Sequence, residues 1–300
     1  MENPATALRA LEIAWVLLAG AAVGSFLNVV IARVPHGESV VRPGSRCPRC
    51  GTPIAWRDNV PLLSWILLGG RCRSCRAGIS VRYPAVEALG AGAALLAWQR
   101  HGLGAAAAAE FAFAAALVAL AFIDLDTWLL PNALTWPLGV FGLAASALGV
   151  SAAPSLPSSI AGAALGFAGF AAVAWVGARV FKKEALGFGD VWLLGALGAW
   201  LGAAALLPVV LLASVQGSAV GIVLVLLGRG EPGPGEARGA GTPPAAGSPA
   251  AGVSGPEDAD AWVPPRHAVP FGPFLVAGAL EWLYLSGRIA ERVPGLEVFL

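Results

Sequence analysis

The chain of 300 residues is poor in charge: Asp, Glu, Lys and Arg make up 12% of it, against 57% hydrophobic residues. Soluble domains carry about 25% charged residues, so a soluble globular fold is excluded. The 19 Lys and Arg and 18 Asp and Glu nearly cancel, leaving a formal net charge of +1. Nothing here provides a general electrostatic attraction for nucleic acid. There are only 2 tyrosines and no segments of alternating apolar and polar residues, which argues against a transmembrane β-barrel. The 3 histidines, His36, His101 and His267, form no HExxH arrangement, so zincin chemistry is removed. No phosphate- or dinucleotide-binding glycine loop is tied to a strand, and no Gly-X-Y period marks a collagen.

What the chain does have is apolar runs, at residues 11–34, 84–99, 104–123, 132–150, 159–181, 191–202, 203–228 and 268–287. A helical crossing needs about 20 apolar residues. The predicted fold is an all-α polytopic membrane protein of about eight transmembrane helices. Only Gly198 and Gly202 punctuate the sixth and seventh runs, so seven spans stay open. The first run is too long for the h-region of a signal peptide, and Glu2 and Glu12 beside Arg9 do not make a basic n-region. It is read as an uncleaved span. The predicted organisation is a first helix over 1–34, a loop domain over 35–83, a membrane core over 84–228, a linker over 229–267 and a last helix with its tail over 268–300. The linker is rich in Gly, Pro, Ala and Ser, which cannot bury enough surface to offset ordering, so disorder is expected there.

The loop 35–83 holds Arg42, Arg46, Arg49, Arg57, Arg71, Arg73, Arg76 and Arg82 against Glu38 and Asp58. The positive-inside rule puts it in the cytoplasm and the N-terminus outside. All four cysteines fall in this loop, as Cys47-Pro-Arg-Cys50 and Cys72-Arg-Ser-Cys75. Two such knuckles at this separation match a tetrahedral four-thiolate zinc site. Gly51 and Gly78 are expected to let the backbone curl around the metal. Disulfides are disfavoured in a reducing compartment, and no thioredoxin-like pattern surrounds the pairs, although a redox role stays open. A four-cysteine site has no free coordination position, so a zinc ion there organises the loop and the chemistry lies elsewhere.

Between His101 and Arg179 the ionisable residues are Glu110, Asp124 and Asp126. Acids at membrane depth are costly and are functional hypotheses by default. Asp124 ends the third run at its cytoplasmic end. Asp126 is two positions on, about 200° around a helix, so one of the two faces inward and the other is solvated. Asp190, in Gly187-Phe-Gly189-Asp190, opens the sixth run at the same end of the membrane. Gly187 and Gly189 permit close backbone approach. Two carboxylates that meet there make an aspartic-protease pair, one acting as base on water while the other polarises the scissile carbonyl. The alternative is that acids at helix ends merely cap helices or meet headgroups.

Several stretches in order resemble the bacterial type IV prepilin peptidases, which are leader peptidases and N-methyltransferases of the GxGD aspartic class. They are Gly24-Ser-Phe-Leu-Asn28-Val-Val, the two cysteine knuckles, Asn59-Val-Pro61-Leu-Leu-Ser-Trp65, Arg82-Tyr-Pro84-Ala-Val-Glu87, Ile123-Asp124-Leu-Asp126 with Leu130-Pro131, Gly187-Phe-Gly189-Asp190, and Pro270-Phe-Gly-Pro273. The resemblance implies that Asp124 and Asp190 are the catalytic pair, in a multi-pass protein of the bacterial inner membrane. It implies cleavage of a short basic leader from type IV prepilins and type II secretion pseudopilins on the cytoplasmic face. Methylation of the new N-terminal residue with S-adenosylmethionine would follow. Gly69 and Gly70 align with a glycine pair in the region associated with methyl transfer; their other reading is a simple turn. Asp126, Glu184 or anionic headgroups are the expected contacts of the basic leader. Glu87 has no role readable from the sequence. Two other functions fit the same residues: a membrane aspartic peptidase without methyl transfer, and a zinc-stabilised scaffold or transporter that uses its acids for ion passage.

Overall fold

The computed structural model describes residues 4–181, 187–227 and 269–290. The predicted linker 229–267 and Glu184 lie outside the described residues. Helix α1 runs over Pro4–Arg33 and the short α2 over Leu63–Leu67. Then follow α3 (Arg82–His101), α4 (Ala105–Thr127), α5 (Asn132–Ala147), α6 (Leu156–Phe181), α7 (Phe188–Leu201), α8 (Leu206–Leu226) and α9 (Gly272–Ala290). Apart from α2, each helix falls on one of the apolar runs. The described residues contain no strand; two isolated bridges, Arg46 with Pro53 and Arg71 with Gly78, are the β pairing present among them. The weak boundary between the sixth and seventh runs is a real break: Gly202 has φ +85°, and a 3₁₀ turn over Ala203–Ala205 precedes α8.

Four segments are long and apolar enough to cross a membrane: Ala5–His36, Ala105–Thr127, Leu156–Val180 and Ala203–Leu226. Outward faces match that environment. On α6, Ile160, Leu165, Val173 and Val180 are all exposed, an apolar surface that lipid covers at no cost and water does not.

Small residues set the helix spacing. A Cβ added to Gly20 of α1 would lie 2.6 Å from the Gly90 carbonyl oxygen of α3, and one on Gly24 the same distance from the Glu87 Cα. Gly162 of α6 meets the Gly198 backbone of α7 in the same way. Without a hydrophobic drive between helices in lipid, close backbone contact of this kind is what holds helices together. A central cluster then joins α4, α5, α7 and α9 through Phe113, Leu117, Leu138, Leu194, Trp200 and Leu275. Trp200 stacks on Phe113 with ring centroids 4.6 Å apart, and its indole N–H donates to the Leu138 carbonyl at 3.0 Å. The described residues fall into two compact units, one reaching Ser214 and resuming at Pro270, the other beginning at Val215. Everything below concerns the first.

Candidate active site

Asp124 sits in the last turn of α4 and is 4% exposed, directly after the fully buried Ile123. The helix stops at Trp128, which takes a left-handed backbone (φ 57°) and gives its N–H to the Asp124 carbonyl at 2.9 Å. Asp126 is exposed and pairs with Arg82, the first residue of α3, at 2.6 Å. The two acids therefore face opposite ways, one into the bundle and one outward, as their spacing requires. Asp126 already holds Arg82 in an exposed ion pair.

Asp190 stands in the first turn of α7. Its N–H bonds to the carbonyl of Gly187, the residue that caps the helix, at 3.1 Å. A carboxylate in a first turn is favoured by the helix dipole. The side chain is half-buried and close enough to Asp124 for the two charges to act on each other. Leu130, in the connection from α4 to α5, measures how tightly this corner is packed. A Cβ on Gly189 would lie 2.8 Å from the Leu130 Cβ, and one on Gly272 would lie 3.4 Å from the Leu130 Cδ1. The end of α4 and the starts of α7 and α9 thus converge, and the Gly272 N–H, at the start of α9, donates to Asp124 Oδ2 at 3.1 Å. Among the described residues neither aspartate is ion-paired.

The cysteines form a second centre in the loop between α1 and α3. One sulfur from each of Cys47, Cys50, Cys72 and Cys75 lies within 4.8 Å of the others, and Cys47 Sγ is 3.8 Å from Cys75 Sγ. Tetrahedral zinc with bonds of about 2.3 Å puts its sulfurs about 3.8 Å apart, so the donor set fits that metal. The knuckles are built alike. The Cys47 N–H bonds to the Thr52 carbonyl and the Cys72 N–H to the Ala77 carbonyl, while Gly51 and Arg76 reach back to the carbonyls of Cys47 and Cys72. The left-handed residue is Gly51 (φ 70°) in the first knuckle and Arg76 (φ 59°), not Gly78, in the second. The position after each second cysteine is the one that turns: Gly51 as expected in the first knuckle, and Arg76 in place of Gly78 in the second. The Thr52 hydroxyl, 3.3 Å from Cys50 Sγ, stabilises the thiolate and brings Cys50 down to about 6. Cys75 is pushed up to about 11, because burial and three neighbouring thiols outweigh the stabilising Ala77 amide. A fork from Arg73 to Asp58, at 2.6–3.0 Å, ties the second knuckle to the Trp56–Asp58 turn and holds the Asp58 carboxyl below its usual range.

Gly69 and Gly70, with φ of 59° and 64°, close α2 and turn the chain toward Cys72; the Gly70 N–H bonds to the Trp65 carbonyl at 2.8 Å. That turn accounts for both glycines. Nothing in their geometry selects a methyl donor, and no step of a methyl transfer is routed through them. Glu87, which the sequence left without a role, is 8% exposed and accepts the Leu62 N–H at 2.7 Å, holding the loop against α3. Sequence reasoning also missed the Gly272 amide. The available signal was a Gly-Pro pair at the start of the last apolar run, where proline has no N–H and glycine has no side chain.

Comparison with known proteins matches the model of the bacterial peptidase A24 N-terminal domain over residues 18–101 and that of the type IV leader peptidase family over residues 111–222. A prepilin leader peptidase/N-methyltransferase of Myxococcus xanthus (strain DK1622) is 41% identical over 308 aligned positions, covering 92% of this chain and 90% of the relative. A protein of the same name from Burkholderia pseudomallei (strain 1026b) is 37% identical, with 92% and 86% covered. A type 4 prepilin-like proteins leader peptide-processing enzyme of Escherichia coli O78:H11 is 43% identical over 66% of this chain and 80% of its own. No solved structure matches. Both family models lie along this one chain in order, and relatives align over nearly its whole length: the chain belongs to the type IV leader peptidase family.

Proposed function

We propose that this protein is a prepilin leader peptidase and N-methyltransferase of the bacterial inner membrane. Its helices α1 and α3–α9 cross the bilayer eight times, with the cysteine loop and the aspartates on the cytoplasmic side. It cuts the leader from type IV prepilins and type II secretion pseudopilins, then methylates the new N-terminus with S-adenosylmethionine. The observation that supports this reading is that Asp124, buried in the last turn of α4, and Asp190, in the first turn of α7, belong to one corner packed around Leu130, with no ion pair to either among the described residues.

The pair supports acid–base hydrolysis of a peptide. The ionised carboxylate takes a proton from water as its oxygen attacks the scissile carbonyl carbon. The protonated carboxyl gives its proton to the carbonyl oxygen. Collapse of the tetrahedral intermediate re-forms the carbonyl, breaks the C–N bond and passes a proton to the leaving amine. A prepilin suits this placement, because its apolar helix lies in the bilayer while the junction with the leader reaches the interface. Zinc held by Cys47, Cys50, Cys72 and Cys75 would brace the loop and supply structural bonding only, since four thiolates fill its coordination.

The test is cleavage of a prepilin by purified enzyme in lipid. Asp124→Asn and Asp190→Asn are each expected to lose at least about 100-fold in rate, with methyl transfer to a pre-cleaved pilin retained. Normal cleavage by either variant sinks the pair, and cleavage without any methyl transfer in the parent enzyme removes the second activity. Metal analysis checks the loop: about one zinc per chain is expected, lost in Cys47→Ser. An active parent enzyme free of metal refutes the zinc site.

A further inference from the structure

Helix α9 begins at Gly272. The Phe271 carbonyl accepts the N–H groups of Phe274 (3.1 Å) and Leu275 (3.2 Å), so Phe271 caps the helix and Gly272 is its first residue. The first N–H groups of a helix have no partner within it. Here the second residue, Pro273, has none to give, and the Gly272 N–H is directed to Asp124 Oδ2 at 3.1 Å, in buried surroundings. The bond joins residues 148 positions apart.

Glycine at this place is not required by backbone conformation, since Gly272 is absent from the positive-φ positions. Intrinsic helix propensity would favour alanine. What requires glycine is the approach of the carboxylate. A Cβ on Gly272 would overlap Asp124 Oδ2 and lie 3.1 Å from Cγ, with Leu130 Cδ1 behind it at 3.4 Å. Leu130 would meet the same Cβ and itself lies close to Gly189, one residue before Asp190, so the corner has little spare room. The two aspartates are also unlike each other. Asp124 has a backbone donor at the positive end of a helix, whereas no hydrogen bond to the Asp190 carboxyl is found among the described residues.

We infer that Gly272 is the positioning residue of the peptidase: its amide and its missing side chain hold Asp124 in the orientation that faces Asp190, as the charged member that takes the proton from water. This rests on the reading of Asp124 and Asp190 as the hydrolytic pair. Misplacing a reacting group by about 1 Å can cost about 100-fold. Methyl transfer to a pre-cleaved pilin requires no peptide hydrolysis, so it reports separately on the fold.

The experiment is steady-state cleavage of prepilin by full-length enzyme in lipid nanodiscs, alongside methyl transfer to pre-cleaved pilin. Gly272→Ala is expected to lower kcat by about 10- to 100-fold while KM changes less than about twofold. Its methyl transfer stays at the parent value, and its thermal midpoint falls by only about a few degrees, the cost of one crowded Cβ. Gly287→Ala, on the same helix with open space around it, leaves all four quantities unchanged. A parent kcat in Gly272→Ala overturns the inference. So does a loss that appears in KM, or one matched by equal losses of methyl transfer and thermal midpoint, which makes the glycine a support of the fold instead. Asp124→Asn separates the two levels of the argument. If it cleaves normally the pair itself is wrong; if it is dead while Gly272→Ala is normal, only the role of Gly272 fails.

Discussion

Helix α4 carries two buried carboxylates, Glu110 and Asp124, each 4% exposed and about 20 Å apart along the helix. Glu110 is neutralised. Its Oε2 lies 3.0 Å from Arg100 and 2.8 Å from His101, both at the end of α3. Arg100 also donates to the Leu283 carbonyl at 2.8 Å, so this cluster fastens α9 at the far end of the bundle. Asp124 at the other end is met by a backbone amide and by a second acid. The same cost of burying a carboxylate is offset by the Arg100 guanidinium in one place and left largely standing in the other. The first arrangement makes a fastening; the second leaves a buried acid without a cation, the setting that the proposed hydrolysis requires.

That contrast can be broken from the reactive end. Leu130→Lys brings an ammonium group into the corner shared by Gly189 and Gly272 and should convert Asp124 into a neutralised carboxylate like Glu110. The expected loss in leader cleavage is about 100-fold, with methyl transfer to a pre-cleaved pilin kept. An unaltered cleavage rate means that the absence of a cation beside Asp124 is irrelevant to the chemistry. The far end offers the smaller, complementary effect. Glu110→Gln removes the counter-charge of Arg100; because Arg100 is 39% exposed, the expected destabilisation is about 2 kcal/mol, below that of a fully buried pair. It is read as a lowered thermal midpoint, while the kcat of the folded enzyme stays within about twofold. A large fall in kcat at an unchanged midpoint erases the distinction between the two ends.

Much of this was legible in the residues. The apolar runs located the long helices because lipid requires continuous apolar length. The opposite facing of Asp124 and Asp126 followed from helical pitch alone. The cysteine cluster was readable because metal geometry demands short, repeated spacing. Other features had no such signature. The Gly272 amide is a group that nearly every residue has, and what distinguishes it is a tertiary approach from the far end of the chain. Glu87 likewise serves the backbone N–H of Leu62, which stands in a positive-φ conformation (φ 61°), and nothing in the local pattern announces such a bond. Arg76 takes the left-handed turn where Gly78 was expected, because the repeat of the knuckle outweighs the preference of one residue type. The four candidate spans are those with both length and strong hydropathy; α5 and α7, at 16 and 14 residues, are short for a crossing.

The bond from Gly272 to Asp124 also orders events in time. A ribosome synthesises from the N-terminus, so both aspartates and all four cysteines are made well before the amide that α9 contributes. The nascent chain can form its loop and bring its two acids near each other while still lacking the helix start that fixes one of them. A chain stopped after α8 therefore has both acids of the pair without the backbone donor of Asp124.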